Sequence, residues 1–501
     1  MLPLLVSGQI READAYTIAH EPIASIDLME RACKAFVGWF INHFQDKNQT
    51  ISVYCGTGNN GGDGLAISRL LYEHGYHQLH VKITRFSDKA SDDFNVNLHR
   101  LKATGIVITE ITQAGRLLPE ESELLIDAML GSGLNKPLAG QYKKLVEYLN
   151  ALDKTIVAVD VPTGFFSEGE IPTDATILKA DLVITFQQPK INFLLPESGP
   201  YIKCCEVVKI GLNEDFINSA DTPYYYIEQK DIRIMLKPRH RFSNKGTYGH
   251  ALMVAGKDET MGAALLCSSA CAQAGAGLTT ACIPQSGLTA LNSYMPELMA
   301  VLRKKNVLPE IEWDKYNVIG IGPGLGKDDS ALKLLKAVIK NYHQPIVFDA
   351  DALNMLAENK PLLKKIPKGS VLTPHMKEFD RLFGKHTSWW QRLQTAREKS
   401  MELSINIVLK NDYTITATPE GKLYFNSTSN AAMASGGMGD VLTGIITALI
   451  AQKYSPEDAC ILGVYIHGKA GDELALPNRM SVVLPGTLTT QLPVTIAKLR
   501  A

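Results

Sequence analysis

The 501-residue sequence has no excess of either charge. Its 51 Lys and Arg stand against 52 Asp and Glu, for a net charge of −1. That balance excludes the basic footprint of a nucleic-acid binder and the polybasic patch of a membrane-surface protein. No stretch reaches the roughly 18 uncharged apolar residues that a membrane-crossing helix needs. The most apolar region, 441–451, is short, follows Asp440, and is expected to be a buried helix. The opening MLPLLVSGQIREADAY has neither a basic n-region nor a cleavage signal, so no signal peptide is expected. None of the eight cysteines (33, 55, 204, 205, 267, 271, 282 and 460) forms a CxxC pair, which argues against a zinc ribbon or redox dithiol. A chain this long and core-rich needs no disulfide scaffold, and a reducing cytoplasm is the expected compartment. Cys267 and Cys271, four apart, fit one helix face as small buried residues. Repeats and low-complexity tracts are absent as well.

What is present is ordinary for a globular protein: 45% hydrophobic and 21% charged residues. At roughly 100–200 residues per domain, two large domains are the simplest division. Residues 8–45 have helical spacing. Short β-branched runs follow at 51–55, 79–84, 124–128, 156–160 and 182–186, with helix-length amphipathic segments between most of them and an edge strand expected at 206–210. Strand–helix alternation predicts a parallel sheet covered on both faces. Periodicity fades over 211–230, where the domain boundary is expected, giving domains of 1–218 and 228–501. A second α/β block has expected strands at 251–255, 278–282, 318–321, 346–349, 371–373, 406–410 and 414–417. Its expected helices are 262–276, 328–341, 352–358, 376–383, 389–403, 438–452 and 456–473.

In the first block, the nine residues Gly56–Gly64 (GTGNNGGDG) join a strand to a helix, and five are glycine. Glycine permits a tight turn and close approach of a ligand, and N–H groups at a helix start favour an anion such as pyrophosphate. Asp127 ends the run LLID before AMLGSGLNKP, and Asp160 ends IVAVD before VPTG. Ligands of doubly wound sheets bind beyond the carboxyl ends of the strands, so these turns and carboxylates converge on one rim. Each Asp taken alone also reads as a cap. Asn60, Asp127 and Thr163 together offer amide, carboxylate and hydroxyl groups suited to a hard cation.

GTGNNGGDG, DAMLGSGL and AVDVPTG, in this order and spacing, resemble the NAD(P)H-hydrate epimerase family over residues 8–212. The resemblance implies a Rossmann-like α/β/α domain that interconverts the R and S hydrates of NADH and NADPH (NADHX and NADPHX). It implies that Asn59, Asn60, Gly61, Gly62, Asp63, Gly131, Ser132, Gly133, Leu134, Asn135, Lys136, Pro137 and Asp160 hold the hydrated dinucleotide. Asn60, Asp127 and Thr163 would hold potassium, with Asp127 also the acid/base. Thr163 stands where the family has Ser, and it keeps the hydroxyl. The chemistry is self-consistent: the ring nitrogen expels the neighbouring hydroxyl, water returns to the other face, and a carboxylate shuttles the protons.

In the second block, Ser435–Asp440 (SGGMGD) precedes the apolar helix VLTGIITALI. Its glycines expose successive N–H groups, an anion hole for phosphate. Asp440 is placed to take a proton from a hydroxyl attacking phosphorus, and phosphoryl transfer is mainly positioning and charge stabilisation. The pattern, with NKGTYGH, MGAA, GAGL, PELM, IGPGLG, DADALN, LTPH and YIHG elsewhere in residues 230–497, is similar to the ADP-dependent NAD(P)H-hydrate dehydratase branch of the ribokinase-like superfamily. The resemblance implies that Ala264, Gly326, His375 and Asp440 contact the hydrate. Lys410, Asn411, Asp412, Tyr413, Thr414 and Gly439 would contact ADP, with Asn411 where the family has Gly. His375 also reads as a structural histidine, and His467 is expected to be structural. Asp349 and Asp351 would order magnesium or water, or serve as a turn.

The implied reaction transfers the β-phosphate of ADP to the ring hydroxyl of the S hydrate, with Asp440 as base. Phosphate then departs, restoring NADH or NADPH with AMP and phosphate as by-products, while magnesium neutralises the nucleotide charge. Partners are therefore small molecules (NADHX, NADPHX and ADP), with no nucleic acid and no membrane. Homo-oligomers are common in both families, so one is expected. Two other classes stay open at this point: a ribokinase-type kinase of a vitamin-like alcohol, and a non-catalytic nucleotide-binding protein, against which Asp127 and Asp440 speak.

Overall fold

Val53 and Cys55 face one hydrophobic core while Tyr54 between them faces another. That alternation marks a strand buried on both sides. The computed structural model describes residues 1–116, 119–304 and 307–500. The chain divides into two units: Pro3–Thr222 with Ser388–Trp390, and Met1–Leu2 with Pro223–Thr387 and Gln391 onward.

Strand β1 (Leu2–Pro3) opens the chain and belongs by topology to the second sheet. The first unit is a seven-stranded sheet of β2 (Ile51–Cys55), β3 (Leu79–Thr84), β4 (Val107–Ile111), β5 (Leu124–Ala128), β6 (Thr155–Val159), β7 (Leu182–Phe186) and β8 (Cys205–Val208). All its pairings are parallel, in the order β4-β3-β2-β5-β6-β7-β8. Helices Ser25–His43, Asn59–Glu73 and Asp92–Lys102 bury Phe36, Leu65 and Phe94 on one face of it. Helix Gly140–Asn150 buries Leu145 and Leu149 on the other. Strand order reverses between β2 and β5, which places the ligand crevice at their carboxyl ends.

The second unit is built on an eleven-stranded sheet. Its strands after β1 are β9 (Tyr224–Tyr226), β10 (His250–Val254), β11 (Leu278–Pro284), β12 (Met299–Arg303), β13 (Val318–Ile321), β14 (Ile346–Phe348), β15 (Val371–Leu372), β16 (Asn406–Leu409), β17 (Ile415–Ala417) and β18 (Leu423–Phe425). The order is β1-β9-β18-β17-β16-β15-β14-β13-β10-β11-β12. The run from β16 through β12 is parallel, and β17 is antiparallel to both its neighbours. Here the order reverses between β10 and β13. Helix Met438–Ala451 is buried along nearly its whole length against helix Met261–Gln273, and no described helix is long and apolar enough to cross a membrane. All eight cysteines are free thiols.

Several expected elements differ. Residues 8–45 form two helices, Ser7–His20 and Ser25–His43, because Pro22 has no N–H to continue the first. The glycine-rich turn is shorter than expected: helix Asn59–Glu73 starts inside it. Asp160 lies outside its strand in the left-handed region at φ 63°. Strands β4, β9, β12 and β18 and helix Pro485–Arg500 were not expected.

Candidate active sites

At the first switch point, Gly56 crosses so close to Met129 that a Cβ on it would lie 1.9 Å from the Met129 carbonyl oxygen. This contact draws the loops after β2 and β5 together. Beyond them opens a cavity of about 520 Å³, within the range for small-molecule sites. Among the expected residues, Asn59, Asn60, Asp63, Gly131, Ser132, Gly133, Leu134 and Asp160 line it. Asn135, Lys136 and Pro137 are exposed and do not. Gly61 and Gly62 also stay off the wall. A Cβ on Gly61 would meet the Gly56 carbonyl at 1.9 Å, and one on Gly62 would meet the Met29 sulfur at 3.1 Å. The smallness of Gly61 lets the helix start fold onto the turn at Gly56, and that of Gly62 lets the helix pack against helices Ser25–His43 and Asp92–Lys102.

Asp127 sits behind this wall, 2% exposed. Its Oδ1 accepts from the Thr163 hydroxyl at 2.7 Å and the Met129 N–H at 3.1 Å, and its Oδ2 accepts from the Thr163 N–H at 2.7 Å. Burial pushes its carboxyl up to about 6 although the three hydrogen bonds pull the other way. No cationic side chain is paired with it among the described residues, and the Asn60 amide nitrogen is buried without a partner. The oxygens of Asp127, Thr163 and the Asn60 amide are of the kind that suits a hard cation, whereas the unpartnered Asn60 nitrogen is a hydrogen-bond donor and would not ligate one.

Asp160 is held on the wall by a side chain that the motifs missed. Lys190, 3% exposed, places Nζ 2.8 Å from Asp160 Oδ1. The same oxygen accepts from the Thr185 hydroxyl and the Phe186 N–H, each at 3.0 Å. Lys190 follows β7 in the run FQQPK, so the carboxyl-end rule would have found it. Asp14, Arg11 and Gln187 also line the cavity unforeseen. Asp63 faces the same space, and burial with the charge of Asp160 raises its carboxyl far above the usual range.

The second site gathers at the ends of β10, β13, β14, β15 and β16. Asp349, next after β14, is almost fully buried. Its Oδ1 accepts from Lys410 Nζ at 2.9 Å and its Oδ2 from the Thr443 hydroxyl at 2.7 Å. Asp349 is the ion-pair partner of Lys410, and its carbonyl accepts from the Ala352 N–H at 3.0 Å in the turn that starts helix Ala350–Glu358. Asp351 accepts from the Gly326 N–H at 2.8 Å. A Cβ on Gly439 would lie 3.2 Å from Lys410 Nζ, so that ammonium stands at the start of helix Met438–Ala451. Burial lowers the ammonium's affinity for its proton, but Asp349, Glu378 and Asp440 outweigh this and raise it. Asp440, in the first helical turn, is pushed up to about 7 by burial and then by Asp349, with Lys410 opposing.

His375 caps helix Met376–Phe383, its Nδ1 accepting from the N–H groups of Lys377 and Glu378 at 3.1 and 3.4 Å. Burial and the charge of Lys410 lower its affinity for a proton and keep it neutral. At the rim of the same site its backbone forms an isolated parallel β-bridge with that of Lys410. Ala264 is wholly buried; a Cβ on Gly256 would meet it at 2.9 Å. In the loop Lys410–Thr414, the Thr414 hydroxyl donates to the Asn411 carbonyl at 2.9 Å, and both polar atoms of the Asn411 side chain are buried without partners. Burial takes His467 down to about 4, and its Nε2 is buried without a hydrogen-bond partner among the described residues. A second cavity in this unit, of about 960 Å³, is lined by Lys257, Arg303 and Leu325 among others, and by none of Ala264, Gly326, His375 or Asp440.

Residues 251–494 match the family described as NAD(P)H-hydrate dehydratase, and residues 25–192 match YjeF-related protein N-terminus. The bifunctional NAD(P)H-hydrate repair enzyme Nnr of Moorella thermoacetica is 31% identical, covering 99% of this chain and 97% of its own. The chain belongs to the bifunctional NAD(P)H-hydrate repair enzyme family. The family member from Coxiella burnetii is 33% identical over 95% of each chain. A solved ADP/ATP-dependent NAD(P)H-hydrate dehydratase from Bacillus subtilis, co-crystallised with ATP and magnesium, is 29% identical. It covers 55% of this chain and 98% of its own, with a TM-score of 0.47. In this repair-enzyme chain the first unit is Rossmann-like and the second is a ribokinase-like α/β unit, as expected.

Proposed function

We propose that the chain repairs hydrated NADH and NADPH at two chemically distinct sites, residues 1–218 carrying the epimerase and residues 228–501 the dehydratase. In the first, the hydrate lies in the 520 Å³ cavity, with its diphosphate toward the start of helix Asn59–Glu73. Expulsion of the ring hydroxyl leaves a cationic ring, which the carboxylates of the wall stabilise. Asn60, Asp127 and Thr163 would hold potassium, whose charge would balance buried Asp127. Asp127 is also the expected acid/base, and its three accepted hydrogen bonds favour the cation-binding role.

In the second site, ADP is the phosphoryl donor. Lys410 and the N–H groups around Gly439 hold its phosphates, Asn411 to Thr414 flank the nucleotide, and Gly326 and His375 border the hydrate. Asp440 takes the proton from the attacking hydroxyl. Phosphate then leaves as the ring nitrogen supplies its electron pair. The protein has no cluster of three or more His, Cys, Asp or Glu suited to a metal among the described residues, so magnesium would arrive on the nucleotide phosphates, where it offsets their charge. A cytoplasmic location fits the eight free thiols, and a homo-oligomer fits the habit of both families.

The observation that carries this function is the pairing of a fixed ammonium, Lys410 on Asp349, with the uncommitted carboxyl of Asp440 at one glycine-rich helix start. The test is absorbance at the reduced-nicotinamide band, using purified protein, mixed R and S hydrates of NADH, magnesium, potassium and either ADP or ATP. Full recovery of NADH with ADP is expected. Recovery that stops when the S form is consumed would refute the epimerase assignment. A stable phosphorylated product with ATP would favour a kinase.

A further inference from the structure

The cavity of the first unit carries a carboxyl that belongs to none of the motifs. Asp14 lies in helix Ser7–His20 and lines the cavity with Arg11 of the same helix and with Asp63, Asp160 and Lys190 of the sheet rim. The helix is tied down at both ends. Ser7 donates its N–H and its hydroxyl to Glu168 at 3.0 and 2.9 Å, and the hydroxyl of Thr17 accepts from the Asn213 N–H at 2.9 Å. Asp14 is therefore presented to the cavity from a fixed frame.

Each of the other carboxyls of this site is held in place by protein partners. Asp127 accepts three hydrogen bonds behind the wall. Asp160 is bound to Lys190, Thr185 and the Phe186 N–H. Asp63 lies against the Cys33 thiol, its Oδ1 3.5 Å from Sγ. Asp14 makes no hydrogen bond among the described residues. Burial and then the charge of Asp160 raise it to about 6, with Lys190 opposing.

Epimerisation needs proton handling on both faces of the ring, because hydroxyl leaves one face and water returns to the other. We propose that Asp14 is a catalytic residue of this site, serving the ring face turned toward helix Ser7–His20 while the rim carboxyls serve the opposite face. The step balances without a co-reactant. As the C–O bond breaks, the Asp14 carboxyl gives its proton to the departing hydroxyl, which leaves as water, and the ring nitrogen's electron pair forms the C=N bond. In return, a water oxygen bonds to that carbon, the C=N pair goes back to nitrogen, and the water's proton passes to a carboxylate. This assignment rests on the epimerase reading of the cavity.

The test uses the full chain and chromatographic separation of the R and S hydrates of NADH, with ADP-driven dehydration of the S form as the internal control. Asp14→Asn is expected to lower kcat for interconversion about 100-fold or more, with KM little changed and dehydration intact. Asp14→Glu should restore part of the rate. Interconversion by Asp14→Asn within about threefold of wild type, or a change in KM alone, would overturn the proposal. Failure of the wild type itself to interconvert the hydrates is a separate result, and it would remove the epimerase reading.

Discussion

Replacing Asp349 by alanine isolates the buried charge pair of the second unit. The carboxylate is 2% exposed and Lys410 is 21% exposed, so the change leaves the ammonium without its hydrogen-bond acceptor, while the Thr443 hydroxyl keeps the Gly439 carbonyl at 3.0 Å. Breaking a buried pair by removing one partner costs about 3–5 kcal/mol. For a unit of this size each kcal/mol moves the transition by roughly 2–4 °C, so calorimetry of the full chain should show the second unit melting about 6–20 °C lower. The double change Asp349→Ala with Lys410→Met removes the orphaned charge and should recover more than half of that loss. If Asp349→Ala lies within about 1 kcal/mol of wild type, or if the double variant loses the sum of the two single changes, the pair is not a buried, coupled interaction and the reasoning fails.

Asp440→Asn should abolish ADP-driven recovery of NADH from the S hydrate while leaving R/S interconversion unchanged. In the wild type, dehydration should rise with pH through about 7, because the base acts ionised. The same shift bears on stability: Asp440 binds its proton more tightly folded than unfolded, so its contribution is present at acid pH and is lost as pH rises from about 4 to about 7. Asp127→Ala should do the reverse of Asp440→Asn in the activity assays, and replacing potassium with lithium should slow interconversion alone. Gly56→Ala drives a Cβ into the Met129 carbonyl and should destabilise the first unit by about 3 kcal/mol or more, read as loss of its melting transition.

Strands buried on both faces were plain in the sequence because they are continuous apolar runs: ISVYC, LLIDA and LVITF became β2, β5 and β7 at their expected bounds. The strands that escaped lack that signal. In β4, Val107 is 61% exposed, so its apolar residues mark no buried face. Strand β9 lies inside the polar stretch 211–230, where no period registers. Helix Pro485–Arg500 carries Pro493 in its interior, which reads as a breaker. Among site residues, Asp127, Asp160 and Asp440 were found because each ends a strand or begins a helix beside glycines. Lys190 and Asp14 were not. Lys190 lies just beyond the carboxyl end of β7, where the carboxyl-end rule reaches it, whereas Asp14 sits mid-helix and only the folded chain brings it to the cavity wall.

Under the nucleotide-binding role proposed for Lys410, its tether to Asp349 also sets what a nucleotide would meet on arrival. A free lysine side chain samples many rotamers, and freezing it costs roughly 2 kcal/mol of entropy. Here that freezing is complete once the chain has folded, because Nζ is fixed 2.9 Å from a buried carboxylate. Binding then requires little rearrangement of the protein. The penalty appears instead as selectivity, since an immobile ammonium rewards only a phosphate chain whose length and register bring an oxygen to that one point.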